Sequence, residues 1–256
     1  MDLKINGKRA LVMGASRGLG RAVAEALLAE GVEVIAVARK AESIEAWAGS
    51  RPTLTAMAAD LSDLAAVDRL ADAILERGGV DILVNNSGGP PPGLAATTGR
   101  GDWLVQFEVM AANLFHLTER LLPGMRERRW GRIVTIASSG IEQPIPNLAL
   151  SNGIRAAVAG WSKTLASEVA VDGVTVNIVM PGRIQTSRVD ELDAAAASRT
   201  GSSVEAVQKT SAAAIPAGRY GRPEEFAAVV AFIASEQASY VTGSRLRVDG
   251  GAIRSL

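Results

Sequence analysis

Cysteine is absent from this 256-residue chain, and histidine occurs once. The first absence excludes disulfides, thiolate metal ligands and a cysteine nucleophile, and it fits a reducing compartment. The second leaves too few imidazoles for the usual zinc sites. His116, in the helically spaced run Leu114 to Leu122, therefore reads as a packed or interface residue, and no metal is expected. An excess of one charge is also missing: 27 basic side chains balance 27 acidic ones. The densest basic cluster, Arg126 to Arg132, holds Glu127 and Trp130 within it and reads as a solvated helix end, so nucleic acid is not an expected partner. No long apolar run follows Met1-Asp2-Leu3-Lys4, so neither a signal peptide nor a membrane span is expected, and a cytoplasmic location is. Tyrosine occurs only at Tyr220 and Tyr240, which leaves few phenols for proton transfer.

What is present is core-forming material, 48% hydrophobic against 21% charged. Short apolar runs, Arg9 to Met13, Val32 to Ala38, Ile82 to Asn85, Arg132 to Ile136 and Thr175 to Val179, alternate with longer segments of helical spacing such as Gly20 to Glu30 and Leu64 to Arg77. Strands separated by helices predict an α/β fold: one doubly wound, parallel-sheet Rossmann domain with helices on both faces, over residues 1–256. Two stretches break the rhythm. Gly88-Gly89-Pro90-Pro91-Pro92-Gly93 follows the strand Ile82 to Asn85 and can continue neither a strand nor a helix, so it forms a stiff loop at the carboxyl edge of the sheet. The polar, alanine-rich stretch 186–222 is long for a connection and reads as a helical flap over the site, an inert surface insertion being the alternative.

Gly14-Ala15-Ser16-Arg17-Gly18-Leu19-Gly20 lies between the first strand and the helix that follows. Glycines there let the backbone turn tightly and approach a pyrophosphate, while the helix N-terminus offers unpaired N–H groups. Further marks follow in order: Asp60-Leu61-Ser62, Asn85-Asn86-Ser87-Gly88, the NIVMPGRIQT segment from Asn177 to Thr186, and the tail with Tyr240-Val241-Thr242-Gly243 and Val248-Asp249-Gly250-Gly251. With the GxxxGxG spacing, these marks resemble the short-chain dehydrogenase/reductase family, and the overall pattern is similar to its 3-oxoacyl carrier-protein reductase group.

That resemblance implies a cofactor site built from Gly14, Ser16, Arg17, Gly18, Leu19, Gly20, Arg39, Asp60, Leu61, Asn86, Gly88, Pro181, Gly182, Ile184 and Thr186. Asp60 would receive the adenine amino group, and Ile184 and Thr186 would meet the nicotinamide carboxamide. The second strand ends in Val37-Ala38-Arg39-Lys40, where an NAD site usually carries an acid. Arg39 and Arg17 suit a 2′-phosphate instead, so NADP(H) is expected over NAD(H), with two solvated surface arginines as the alternative.

The family's chemistry uses an Asn, Ser, Tyr, Lys tetrad, and here the resemblance departs from its pattern. Gly131 to Ser138 matches the serine strand, giving Ser138 the serine position. The YxxxK motif should begin thirteen residues later, where the chain has Ser151 and then Arg155, and the asparagine position holds Met110, with Asn113 almost one turn on. Serine is a far weaker acid than a phenol of pKa roughly 10, and arginine, with a pKa above about 12, cannot relay a proton as a tuned lysine does. Arg155 shares a helix face with Ser151 and could bond the ribose or an anionic substrate. Ser139, Asn147 and Asn152 are neighbouring polars, and Tyr220 and Tyr240 occupy segments where the family carries structural tyrosines.

Three functions stay open: a divergent NADP(H)-dependent oxidoreductase acting on a carbonyl or alcohol, a cofactor-binding protein without hydride chemistry (sensor, scaffold or partner subunit), and non-redox chemistry such as enolate stabilisation. Small residues along Ala156 to Val169, namely Ala156, Ala157, Ala159, Gly160 and Ala166, together with the resemblance, imply a homodimer or homotetramer, with packing within one subunit as the alternative.

Overall fold

A computed structural model describes residues 1–255. Seven parallel strands lie in the order β3-β2-β1-β4-β5-β6-β7: β1 (Arg9–Met13), β2 (Glu33–Ala38), β3 (Leu54–Ala58), β4 (Ile82–Asn85), β5 (Gly131–Ile136), β6 (Val174–Pro181) and β7 (Arg245–Val248). The helices are α1 (Gly18–Ala29), α2 (Glu42–Ala48), α3 (Leu64–Glu76), α4 (Arg100–Phe107), α5 (Asn113–Glu127), α6 (Ala149–Val169), α7 (Ser187–Thr200), α8 (Val204–Ala213) and α9 (Pro223–Ile233). None of the described helices is long and apolar enough to cross a membrane.

A parallel sheet must be covered on both faces, and alternation along each strand divides its side chains between two layers. On β1, Ala10 and Val12 join the layer made with Val23 and Leu27 of α1 and Phe226 and Val230 of α9. Leu11 and Met13 join the opposite layer, with Val67 and Leu70 of α3, Leu117 and Leu121 of α5 and Val169 of α6. The expected runs are found at or within two residues of their bounds, and β3 and β7 extend the sheet at its edges. Both edge strands are only partly buried, so neither carries a strong apolar run.

The order reverses at β1, whose register pairs Leu11 with Ile35 of β2 on one side and Leu83 of β4 on the other. The crevice beyond the carboxyl ends of β1 and β4 is the topological switch point, where a doubly wound sheet receives a ligand.

One sequence expectation is overturned. The cluster Arg126 to Arg132 is not wholly a solvated helix end, because Arg132 lies on β5 and is 2% exposed. Its guanidinium stacks on Trp130, donates to the Ser235 carbonyl at 3.0 Å and pairs with Glu236. Period-two strand geometry turns it inward, where these partners replace water. His116 packs as expected, within 2.7 Å of the Asp68 carboxylate.

Candidate active site

The glycine turn is built for a close approach. Gly14 and Gly18 have positive φ (64° and 58°), which glycine adopts without a Cβ penalty. A Cβ on Gly14 would stand 2.6 Å from Asn86 Nδ2, and one on Gly20 would stand 2.7 Å from the Gly14 carbonyl carbon. Asn86 donates to the Met13 carbonyl at 3.2 Å, tying the β4 end to the turn, and the Ala15 N–H donates to the Val37 carbonyl of β2. Leu19 packs into the core layer beneath, while Ser16 is half-buried in the turn. No side chain caps α1, and its first turn carries no acid, so its N–H groups point to the crevice without a competing anion.

At the adenosine side, Asp60 Oδ1 accepts from the Ser62 N–H at 2.9 Å and from the Ser62 hydroxyl at 2.8 Å. Those bonds, with the Arg39 charge as a smaller contribution, hold its carboxyl below the usual range. Oδ2 has no partner among the described residues and remains available as an acceptor. Arg39 is exposed at the end of β2 and forms no ion pair among the described residues. Arg17, expected beside it, donates instead to Ser187 Oγ and Glu191 Oε1, both at 3.0 Å, which fastens the glycine turn to α7. Asn113 lies buried on α5 and donates to the Leu61 carbonyl at 2.7 Å, so it braces the Asp60 segment.

The far side of the crevice comes from the end of β6. The Gly182 N–H donates to the Val248 carbonyl, and a Cβ there would lie 2.6 Å from Asp249 Cα. Pro181 closes the strand, Ile184 is buried and bridges to Gly221, and Thr186 lies against Gly18 at the start of α7. Gly88 stands open in the loop after β4, with nothing within 4 Å of the position a Cβ would take. The stretch 186–222 contains two helices, α7 and α8, and α7 reaches both rims: Arg17 bonds it on one side, and Arg188 approaches the Pro90 carbonyl at 3.5 Å on the other.

Sequence reasoning missed the anchor of this stretch. Arg183 pairs with Asp193, which is 0% exposed, and the Tyr220 hydroxyl donates to the same carboxylate at 2.9 Å. Asp193 sits in a polar, weakly patterned helix, so only Arg183, inside the PGRIQT run, offered a signal. Tyr220 is thereby committed to structure, and Tyr240, at 101% exposed, lies outside the crevice.

Ser138 and Arg155 come together at the carboxyl end of β5, and Ser151 lies one turn before Arg155 on α6. Ser138 begins the short 3-10 turn Ser139–Ile141, and its Oγ accepts from the Gly140 N–H at 3.1 Å. The hydroxyl hydrogen is therefore left to donate. Ser151 and Arg155 both lie inside α6, one turn apart, and Ser151 is buried. Arg155 Nη1 donates to the Ile136 carbonyl at 3.0 Å, two residues before Ser138. Burial pulls its guanidinium down to about 10, still protonated at neutral pH. Its Nε is shut off from solvent with no partner among the described residues.

The fourth position, Met110, lies in a short π-helical segment, Glu108–Ala112, between α4 and α5. It is 2% exposed and packs with Leu150, Ile154 and Val158 of α6. Asn152 does not reach the crevice: its amide makes two bonds to the backbone of Ile145 and fastens the loop before α6. Asn147 takes a positive φ of 61° in that loop, where its carbonyl accepts from Gly93.

A doubly wound sheet with an uncapped, glycine-lined helix N-terminus at its switch point defines a dinucleotide-binding α/β protein. The comparisons narrow the class. A family model described as enoyl-(acyl carrier protein) reductase matches residues 14–252. The 3-oxoacyl-[acyl-carrier-protein] reductase FabG of Salmonella typhimurium is 37% identical over 255 residues, covering 97% of this chain and 98% of that protein. Among solved structures, the NADPH-dependent reductase YwfH, involved in bacilysin biosynthesis, superposes with a TM-score of 0.93 at 28% identity, covering 98% of this chain and all of that one. L-sorbose reductase from Gluconobacter frateurii, complexed with NADPH and L-sorbose, gives 0.91 at 33% identity with full coverage of both chains. The chain belongs to the short-chain dehydrogenase/reductase family.

Proposed function

We propose that this protein is an NADP(H)-dependent oxidoreductase that interconverts a carbonyl compound and its alcohol from an altered tetrad. The observation that carries the reading is Ser138, whose hydroxyl hydrogen is free to donate beside a crevice shaped for a dinucleotide. The residues fit that cofactor: Gly14, Gly18 and Gly20 leave room for the pyrophosphate at the N-terminus of α1, Asp60 Oδ2 is free for the adenine amino group, and Arg39 has no acidic partner. The NADPH named with YwfH and L-sorbose reductase supports the same choice.

When bound, the cofactor supplies a hydride from the nicotinamide C4 to the carbonyl carbon. Ser138 polarises the carbonyl oxygen, and the proton that completes the alcohol is drawn from solvent, because no phenol stands at the position of Ser151 and Tyr220 is committed to Asp193. We assign the stretch 186–222, led by α7, as the cover that excludes bulk solvent, because α7 is tied to one rim of the crevice by Arg17 and to the other by its own Arg188. Pairing with a second copy through α5 and α6 is also part of the proposal: Ala156, Ala157 and Gly160 are exposed on α6, a small-residue surface that permits close helix approach.

Ser138→Ala tests this reading by NADPH oxidation over a panel of ketones and 3-oxoacyl thioesters. The expected result is a loss of about 100-fold or more in kcat with the NADPH Kd unchanged within about twofold, the size of effect seen when a donor to a developing oxyanion is removed. Unchanged kcat would remove Ser138 from the chemistry. Met110 favours a second reading, because its packing against α6 fills the place of a polar relay residue. Tight NADPH binding by the native chain with no turnover on any substrate would leave that second reading, a cofactor-binding protein without hydride chemistry.

A further inference from the structure

Three arginines at the crevice are paired with carboxylates, Arg17 and Arg188 with Glu191 and Arg183 with Asp193, and Arg39 is unpaired among the described residues but open to solvent. Arg155 likewise has no carboxylate partner among the described residues, and its single hydrogen bond runs from Nη1 to the Ile136 carbonyl. Glu142, the acid nearest in sequence after Ser138, is committed to Arg247 at 2.6 Å. Arg155 is half-buried, with its Nε shut off from solvent, and a guanidinium shielded in this way without a counter-charge is costly; such groups are normally paired. Burial already weakens this guanidinium's hold on its proton.

The geometry of the guanidinium says what would compensate it. With Nη1 spent on Ile136, the edge that remains is formed by Nε and Nη2. Nε is buried without a partner, and Nη2 makes no hydrogen bond to the described residues. Two parallel N–H donors on one edge match the two oxygens of a carboxylate, a fit that a lysine at this position would not offer. Ser151, one turn earlier on the same helix face, adds a third donor, and Ser138 stands at the end of the strand whose carbonyl anchors Nη1.

We infer that Arg155, with Ser151, receives a substrate carboxylate, so that the substrate is an oxo acid, or the matching hydroxy acid, whose carbonyl lies within a few carbons of its carboxylate. This deepens the oxidoreductase reading and rests on it for the carbonyl, but the carboxylate site can be tested by binding alone.

The experiment titrates the full chain, saturated with NADP⁺, with two matched pairs by calorimetry: benzoylformate against methyl benzoylformate, and acetoacetate against methyl acetoacetate. At least one acid is expected to bind tenfold or more tightly than its ester. The gap should fall below twofold in Arg155→Gln and be partly kept in Arg155→Lys, while the NADPH Kd stays within twofold. Ser151→Ala, a milder change, should narrow the gap without closing it. Melting temperature adds a readout that a purely structural arginine would move the other way: removing a half-buried charge that has no counter-charge should leave the ligand-free Arg155→Gln protein as stable as the native one. Equal binding of acid and ester by the native chain would overturn the inference. So would an acid preference that survives Arg155→Gln, or a loss confined to NADPH affinity, which would assign Arg155 to the nicotinamide ribose. Hydride transfer to ketones without acid preference would sink the carboxylate site and leave the oxidoreductase standing; acid preference without hydride transfer would do the reverse.

Discussion

Gly20→Ala is expected to raise the NADPH Kd by about 100-fold or more, roughly 2.7 kcal/mol of binding energy. The backbone at Gly20 is within reach of alanine, so the effect is one of space. The added methyl would sit 2.7 Å from the Gly14 carbonyl carbon and 2.9 Å from Asn86 Nδ2. Neither neighbour can yield cheaply, because Gly14 is held in a left-handed turn and Asn86 is bonded to Met13. Relief comes only by lifting the turn away from α1, which withdraws the N–H groups that a pyrophosphate needs. Fluorescence titration checks the affinity, and far-UV circular dichroism checks that the chain still folds. NADPH binding left within a few fold of native would mean that the ligand does not lie on this turn.

The second large effect runs upward. Restoring the family pair with Ser151→Tyr and Arg155→Lys together is expected to raise kcat on neutral ketones by about 10²- to 10⁴-fold, the usual contribution of a positioned general acid. Both residues lie inside α6, whose register with Ser138 follows the family spacing, so a phenol placed there would stand one turn before the lysine that lowers its pKa. The same double change should erase most of the preference for acids, since it removes both the two-donor edge of Arg155 and the Ser151 hydroxyl, where Arg155→Lys alone keeps part of it. Steady-state kinetics on matched ketones and oxo acids reads both effects. No gain in kcat would show that the site has been rebuilt beyond the tetrad, with Met110 and its packing against Leu150 and Ile154 the first place to look.

Much of this was legible in the chain before folding. The five buried strands announce themselves because a sheet covered on both faces needs continuous apolar runs. The glycine turn is legible because three glycines at that spacing between a strand and a helix have few other uses. The edge strand Leu54–Ala58 is harder to see, since only part of its surface is buried and its pattern is diluted. Arg132 was misassigned because a charged residue inside a basic cluster looks solvated until the strand turns it inward toward Trp130 and Glu236.

The same limit applies at the site. Spacing located Ser138, Ser151, Arg155 and Met110, but no one-dimensional pattern reveals which partners a guanidinium finds. Arg17 was expected to await a phosphate and is bonded to Glu191, while Arg155, read as a residue for the ribose or an anionic substrate, spends Nη1 on the Ile136 carbonyl and leaves its Nε without a partner among the described residues. The buried Asp193, which holds Arg183 and Tyr220 together, was invisible because its helix is polar on most sides. Long-range pairings between side chains far apart in sequence are set by the fold, and they decide which charges are free to act.

The most direct test of an NADP(H)-dependent reductase is a paired titration of the full chain with NADPH and NADH, followed in the same samples by NADPH oxidation on oxo acids and ketones. We expect NADPH to bind at least tenfold more tightly than NADH and to be oxidised when a suitable oxo acid is added. Equal or absent binding of both cofactors would contradict the assignment, leaving a doubly wound fold whose crevice serves some other ligand.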